Sequence, residues 1–165
     1  MLFDRFERVK AFMFAVDGVC TDGGLWVGND RSAWHSRVHS RDYYALRVAA
    51  ACDYPIAIVG EQQEVGIRSF MEEAGINDVF FNMGDKNAVL RDWMAAKGLA
   101  AEQVLCMGSD IPDLCKMELA GFNVCPVDAV EDVKKVAAYI SPCAGGAGAV
   151  RDVVEKVMRL QGTWV

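Results

Sequence analysis

The sequence predicts an α/β fold, a doubly wound and mainly parallel sheet, and two observations support this prediction. Short apolar runs typical of buried strands alternate with longer amphipathic segments typical of helices, almost to the end of the chain. Glycines follow three of the helical segments, where they favour helix termination: Gly75, Gly98 and Gly121. Strands that alternate with helices form parallel sheets covered on both faces, so we expect that architecture here.

The predicted elements follow one another in chain order. Apolar runs predict strands over 9–16, 55–59, 79–81, 104–107, 122–127 and 139–141. Helices are predicted over 42–52, 62–74, 86–97, 112–120 and 130–137. A final helix is predicted from its apolar stripe of Val150, Val153, Val154 and Val157. The chain has 165 residues and is 53% hydrophobic, so we expect one domain, 1–165, with a sizeable core.

One predicted element lies outside this alternation, a β-hairpin at residues 24–39. Two apolar segments, 25–27 and 33–39, flank the turn-rich sequence Gly28-Asn29-Asp30-Arg31. The hairpin directly follows an acidic loop, so we expect it to lie near the carboxyl edge of the sheet as a flap. Its tryptophans, Trp26 and Trp34, have two open interpretations: packing across the hairpin, or burial in a subunit interface.

Composition argues against several classes of partner and site. The formal net charge is −6 and no run of Lys or Arg is present, which argues against a nucleic-acid or anionic-membrane partner. The six cysteines form no CxxC pair and there are only two histidines, so a zinc site is poorly supported. No signal peptide is recognisable and no apolar run is long enough to span a bilayer, so we expect a cytoplasmic protein.

Four loops are expected to meet at the carboxyl edge of the sheet, where open α/β folds place their sites. They span residues 15–23, 59–61, 84–86 and 108–113. The first loop carries Asp17, Gly18 and Asp22 directly after a predicted buried strand. Phosphoryl transfer through an aspartyl-phosphate needs a carboxylate two residues before Asp17, and this chain has Ala15 there.

These loops and their flanking segments follow the order and spacing of a known family. The matching segments are VDGVCTDGGLWVGND, HSRDYYALR, IAIVGE, VLCMGSDIPD and AGGAGAVRD, together with Lys86. On these segments the chain resembles the phosphatases of the haloacid-dehalogenase (HAD) superfamily over residues 8–162. More narrowly, it is similar to the capless 3-deoxy-D-manno-octulosonate 8-phosphate phosphatases and their nonulosonate-phosphate relatives. The resemblance implies an HAD-like Rossmannoid domain without a cap, and a homotetramer built through the hairpin flaps.

The resemblance also implies a mechanism for such enzymes. A first aspartate attacks phosphorus and binds Mg²⁺, and a second aspartate two residues later acts as general acid and base. A Ser or Thr and a Lys hold the phosphoryl oxygens, and a further aspartate completes the metal site. Magnesium prefers hard oxygen ligands and neutralises charge during the transfer.

This chain departs from that pattern at most of the implied positions. The nucleophile position holds Ala15, the hydroxyl position holds Val59 and the further metal position holds Ser109. The acid–base position, Asp17, and the lysine position, Lys86, are retained. We therefore expect no bound metal at the family positions Ala15, Asp17 and Ser109.

Four further positions bear on the ligand. Glu61 replaces a basic residue, Tyr43 replaces a glycine and is expected to crowd the pocket mouth, and Ala147 replaces an arginine. Arg41 and Asp42 match an Arg-Asp pair of the family.

We predict from these departures that phosphatase activity is lost and that the role is binding, regulatory or scaffolding, with no cofactor. The alternative is a residual or altered phosphatase that uses Asp17, Lys86 and Mg²⁺ on a 3-deoxy-octulosonate or nonulosonate phosphate. A phosphorylated or acidic sugar would be held by Asp17, Gly18, Arg41, Gly60, Lys86, Asp110 and Asp113.

Two further questions stay open at the level of sequence. Cys20, Cys106 and Ser109 are conceivable substitute nucleophiles, although neither histidine is placed by the sequence as their base. The glycine-rich segment 145–148 precedes the last helix, where it forms either a cradle for an anion or a tight turn.

Overall fold

The fold is organised around a six-stranded sheet whose strand pairs are all parallel, in the order β3-β2-β1-β4-β5-β6. The computed structural model describes residues 1–29, 35–62 and 65–165. The strands are β1 Ala11–Ala15, β2 Ile56–Gly60, β3 Asp78–Phe81, β4 Val104–Met107, β5 Phe122–Cys125 and β6 Tyr139–Ile140. The helices are α1 Leu2–Arg8, α2 Ser40–Ala51, α3 Val65–Glu73, α4 Lys86–Ala96, α5 Leu114–Met117, α6 Glu131–Val136 and α7 Ala149–Leu160. The predicted doubly wound parallel sheet is confirmed.

Helices cover both faces of the sheet, as alternate residues of β1 show. Phe12 and Phe14 belong to the core on one face, together with residues of α1, α2, α3 and α7. Met13 belongs to the core on the other face, together with residues of α4, α5 and α6. Because both faces are covered, all residues of β1 are buried and the strand is a continuous apolar run. The described segments between strands are helices and short loops, with no cap domain among them.

The strand order changes direction at β1, which pairs with β2 on one side and β4 on the other. A crevice forms outside the carboxyl ends of the strands at such a switch point, where α/β folds bind ligands. Ala15 stands beside Val59 of β2, and Phe14 stands beside Met107 of β4. The register therefore brings the ends of all three strands to one place.

Two helices differ from the prediction. Helix α1 was not predicted. It is short and Phe6 is its one buried residue, so the sequence shows no apolar periodicity there. Phe6 packs edge-on against Phe122 with ring centroids 4.8 Å apart. The helix predicted over 112–120 is shorter: a 3₁₀ turn, Ile111–Asp113, precedes α5, and residues 118–119 form turns.

Part of the predicted hairpin lies within the described residues. Two isolated antiparallel bridges join Thr21 to Val38 and Trp26 to His35, and the Trp26 N–H donates to the His35 carbonyl at 3.1 Å. The chain therefore reverses direction as predicted, although by isolated bridges rather than continuous strands. Trp26 is 74% exposed, so it does not pack within the described part of the flap. Trp34 lies outside the described residues.

A carboxylate of α2 caps α7, although the two helices are far apart in sequence. Asp42 is buried, and its side chain accepts hydrogen bonds from the Gly148 N–H at 3.2 Å and the Arg151 N–H at 2.8 Å. Burial raises the pKa of this carboxyl group, while the two N–H donors oppose that effect. The N-terminus of α7 is therefore filled by the protein's own acidic side chain. None of the described helices has the length and apolar character needed to cross a membrane.

Asp42→Ala tests the importance of this cap. We expect a loss of about 1–3 kcal/mol of unfolding free energy, because two N–H groups of α7 lose their acceptor. The folded-state pKa lies above 3.8, so the folded protein holds the carboxyl proton more tightly than the unfolded chain does. The contribution of Asp42 is therefore greatest at low pH and falls as the pH rises through the folded pKa.

Urea unfolding followed by circular dichroism measures this loss, which should be larger at about pH 4 than at about pH 7. The control is Asp92→Ala, which removes an exposed carboxylate from α4. Equal losses in the two variants would contradict the role of Asp42.

Candidate functional site

A cavity of about 120 Å³ opens beyond the carboxyl ends of β1, β2 and β4. Its lining comes from the first, second and fourth loops: Ala15, Val16, Asp17, Val59, Gly60, Glu61, Asp110, Pro112 and Asp113. The third loop approaches it through Lys86, which forms an ion pair with Glu61. The structure therefore brings together the four loops singled out in the sequence. Four carboxylates line this cavity, and among its described lining residues there is no Lys or Arg.

The position of the implied nucleophile presents only hydrocarbon. Ala15 is 2% exposed at the end of β1, and the buried Val59 stands next to it at the end of β2. Two adjacent strands thus end in apolar side chains where the family mechanism needs a carboxylate and a hydroxyl. Neither side chain can accept a phosphoryl group.

Ser109 joins the fourth loop to the first. Its Oγ donates a hydrogen bond to the main-chain carbonyl of Asp17 at 3.0 Å. Gly18 packs against this hydroxyl with a left-handed backbone (φ 72°), and a side chain at Gly18 would overlap the Ser109 Oγ. Ser109 therefore acts as a structural link between two loops, while Asp17 is exposed at the cavity.

Asp113 organises the backbone of the fourth loop. Its Oδ2 accepts hydrogen bonds from the N–H groups of Ser109 at 2.7 Å and Asp110 at 3.1 Å. Its Oδ1 pairs with the buried ammonium of Lys116. The Asp110 carboxylate accepts from the Ile111 N–H at 2.7 Å. The carboxylates retained in this loop therefore hold the loop in shape.

Lys86, the cation predicted to hold a phosphoryl group, is paired with an acid. It lies at the start of α4, where Asp85 caps the helix by accepting from the Ala88 N–H at 3.0 Å. Its ammonium contacts Glu61 Oε1 at the edge of the cavity. The Glu61 side chain is half-exposed, and Lys86 is 18% exposed. The charge that would attract a phosphate is thus compensated by Glu61.

The donor set does not fit the Mg²⁺ ion that the family resemblance implies. Ala15 supplies no oxygen, and the Ser109 hydroxyl is engaged with the Asp17 carbonyl. Asp113 is already bonded to two N–H groups and an ammonium. Across the described parts of the chain, no three His, Cys, Asp or Glu side chains are grouped so as to hold a metal. Mg²⁺ demands a near-octahedral oxygen shell, which these residues do not provide.

Gly18 and Arg41, which were predicted to hold the ligand, are not among the described lining residues, and neither is Tyr43, which was expected to crowd the pocket mouth. Arg41 is at the start of α2. Tyr43 packs against Phe70 of α3 with ring centroids 4.1 Å apart, and Arg47 lies over the Tyr43 ring. The expectation that Tyr43 crowds the pocket mouth is therefore wrong for this cavity, because its ring contacts α3 instead.

The glycine-rich segment 145–148 forms a tight turn. A side chain at Gly145 would overlap the carbonyl of Gly18, so this segment packs directly on the first loop. The Gly145 N–H donates to Asp128 at 2.9 Å, and the Gly148 N–H donates to Asp42. The N–H groups that would cradle an external anion therefore bind the protein's own carboxylates.

The conceivable substitute nucleophiles lack the chemistry for that role. Burial raises the pKa of Cys20, and it raises the pKa of Cys106 to about 12, so both thiols stay protonated at neutral pH. His39 accepts a hydrogen bond from the Arg41 N–H through Nδ1, and the His35 backbone pairs with Trp26. These contacts place both histidines in the flap and its junction with α2.

Lys116 is the site residue that sequence reasoning missed. It lies in the helix predicted over 112–120, and the structure buries it against Asp113. A signal was present, since Asp113 precedes it by one helical turn and apolar residues surround it in the sequence. That spacing also suits an ordinary exposed ion pair, so burial could not be inferred.

Comparisons with known proteins indicate which family of proteins this chain is similar to. No family model matches the chain. Among curated proteins it is similar to the 3-deoxy-D-manno-octulosonate 8-phosphate phosphatase KdsC of Escherichia coli strain K12, with 29% identity over 156 residues. That match covers 94% of this chain and 82% of the relative.

Solved structures give the same result. The 3-deoxy-D-manno-octulosonate 8-phosphate phosphatase of Moraxella catarrhalis, in complex with magnesium, phosphate and KDO, matches with a TM-score of 0.89 and 25% identity, covering 98% of this chain and 92% of that one. A putative HAD superfamily (subfamily III A) hydrolase of Legionella pneumophila matches with a TM-score of 0.91 and 27% identity, covering 98% and 88%. The homologues of this chain are KdsC-type phosphatases, which confirms the resemblance to capless HAD phosphatases.

Glu61→Ala tests whether the ion pair blocks the anion site. We expect inorganic phosphate to bind roughly fivefold more tightly, the effect of one unit charge at about 4 Å in water. Isothermal titration with phosphate at low salt measures the change. The control is Glu102→Ala. It removes an exposed acid that directly precedes β4 and therefore lies at the amino ends of the strands, away from the cavity. Unchanged phosphate affinity in Glu61→Ala would show that Lys86 does not serve an anion site.

Proposed function

We propose that this chain keeps the scaffold of the 3-deoxy-octulosonate 8-phosphate phosphatases without transferring phosphoryl groups, and acts as a binding, regulatory or scaffolding protein. The observation that carries this proposal is the pairing of Ala15 with Val59 at the ends of β1 and β2. No carboxylate stands there to be phosphorylated. The family mechanism cannot begin without that group.

The sizes of the lost effects support the proposal. In another enzyme class, removal of the nucleophile alone lowers kcat by about a millionfold. Asp17 could still act as a general base, but such help is typically worth only about 10²–10⁴-fold. Three of the four carboxylates at the cavity, Glu61, Asp110 and Asp113, already have hydrogen-bond or ion-pair partners. Among the described residues, the buried thiols stay protonated and no group of three side chains could hold a metal ion.

The charges around the cavity affect how an anionic ligand would bind there. A phosphorylated or acidic sugar would meet four carboxylates, two of which, Glu61 and Asp113, are paired with lysines. Binding of such a ligand through Lys86 requires Glu61 to move away. The half-exposed position of Glu61 permits this movement.

A second candidate is a phosphatase that acts on a 3-deoxy-octulosonate or nonulosonate phosphate. The comparisons favour this candidate, because the similar proteins bear the names of phosphatases and one was solved with magnesium, phosphate and KDO. It would use Asp17 as general base and Lys86 for the phosphate, with Mg²⁺ supplying charge neutralisation. The local geometry favours the first candidate, since function depends on the site rather than on the fold.

Purified wild-type protein supplied with 3-deoxy-octulosonate 8-phosphate and millimolar Mg²⁺ separates the two candidates. We expect no release of phosphate above that of a heat-denatured sample, because the nucleophile position is Ala15. A colorimetric phosphate assay measures this directly. Mg²⁺-dependent turnover that disappears in Asp17→Asn would establish the second candidate.

We also propose a cytoplasmic homotetramer assembled through the flap. The exposed Trp26 and Val27 form an apolar surface on this element that association would cover. The six cysteines are all free thiols, which suits a reducing compartment.

Trp26→Ser tests the assembly. We expect the wild type to have the mass of a tetramer by light scattering, and the variant to shift toward smaller species because its apolar contact is lost. The control Val65→Ser changes an exposed apolar residue of α3 and should leave the mass unchanged. A monomeric wild type would refute the proposed tetramer.

A further inference from the structure

We propose that the ammonium group of Lys116 takes the place of a divalent cation at this site, as a fixed internal counter-charge for the fourth loop. The inference rests on the proposed function, because a phosphatase of this family would need the metal itself. It assigns a role to a buried charge that the proposed function leaves unexplained.

The burial of Lys116 is the first observation. The residue is 1% exposed, although lysine is almost never fully buried without a partner. Its partner is Asp113 Oδ1, one turn earlier in the chain. Taking both charges out of water costs free energy that an apolar residue at this position would not cost. A role for the charge would account for its presence at this buried position.

The second observation is what the ion pair holds. The other oxygen of Asp113 accepts hydrogen bonds from the N–H groups of Ser109 and Asp110. Lys116 thereby neutralises the carboxylate that fixes the backbone at the family's metal position. A bound cation neutralises and orders carboxylates in a similar way. Here the ordering group is covalently part of α5.

The third observation locates the charge with respect to the cavity. Lys116 is paired with Asp113, and Asp113 lines the cavity together with Ala15 and Asp17. The ammonium therefore lies directly behind the cavity wall that carries the family's metal positions. A divalent cation placed among these loops would be repelled by the ammonium, and both oxygens of Asp113 already have hydrogen-bond partners within the chain.

The experiment restores the missing carboxylates with and without the lysine charge. The double variant Ala15→Asp/Ser109→Asp is compared with the triple variant that adds Lys116→Gln. Isothermal titration with Mg²⁺ and with Mn²⁺ measures the affinity. We expect the triple variant to bind at least roughly tenfold more tightly than the double variant, because one repelling unit charge is removed.

Two controls isolate the charge of Lys116. Lys135→Gln, in the double-variant background, removes a charge from an exposed ion pair of α6 and should leave the metal affinity unchanged. Lys116→Arg in the same background keeps the charge and should bind metal no better than the double variant. If Lys116→Gln does not fold by circular dichroism, Lys116→Met supplies the neutral variant, with an apolar side chain of similar length.

Equal affinities of the double and triple variants would overturn the inference, and so would a folded triple variant that binds no metal. Equal tightening by Lys135→Gln would overturn it as well, because the effect would then reflect net charge alone. A purely structural lysine would change thermal stability without changing metal affinity. Turnover by the wild-type protein would instead refute the proposed function, so the two failures are distinguishable.

Discussion

The buried ion pair between Asp113 and Lys116 is the interaction on which the geometry of the site depends. Through Asp113 it fixes the N–H groups of Ser109 and Asp110, and Ser109 in turn donates to the Asp17 carbonyl. The first and fourth loops are thereby tied together across the ends of β1 and β4. The Lys116 ammonium, two N–H groups and the Ser109 hydroxyl thus hold the two loops in place. In a phosphatase of this family, a metal and its carboxylates would hold them.

The fold does not depend on the groups that are missing from the site. The buried side chains of β1 pack against helices on both faces, and Ala15 with Val59 simply extends that apolar packing to the cavity. Polar and charged groups at functional sites are often unfavourable for stability, so their replacement by hydrocarbon leaves the scaffold intact. This independence explains how a chain can match KdsC-type phosphatases along 98% of its length and differ from the family pattern in the cavity.

Charge compensation is repeated around the cavity and its neighbouring helix ends. Glu61 pairs with Lys86, Asp113 pairs with Lys116, and Asp42 fills the N-terminus of α7. In each case the charged or polar group is bound by another residue of the same chain. Groups that could have attracted an external phosphate or cation are satisfied internally, and this shared feature links the proposed loss of phosphoryl transfer to the role assigned to Lys116.

The sequence by itself determined the parallel α/β sheet, the loops at its carboxyl edge and the hydrocarbon at the nucleophile position. These follow from local apolar periodicity and from residue identity at the end of a strand, which need no knowledge of distant partners. Only the tertiary structure decided that Glu61 contacts Lys86, that Lys116 is buried and that Asp42 caps α7. Glu61 and Lys86 are 25 positions apart, and Asp42 and Gly148 are 106 apart. Such pairs depend on how the strands are ordered and how the helices pack. Neither can be predicted from periodicity along the chain.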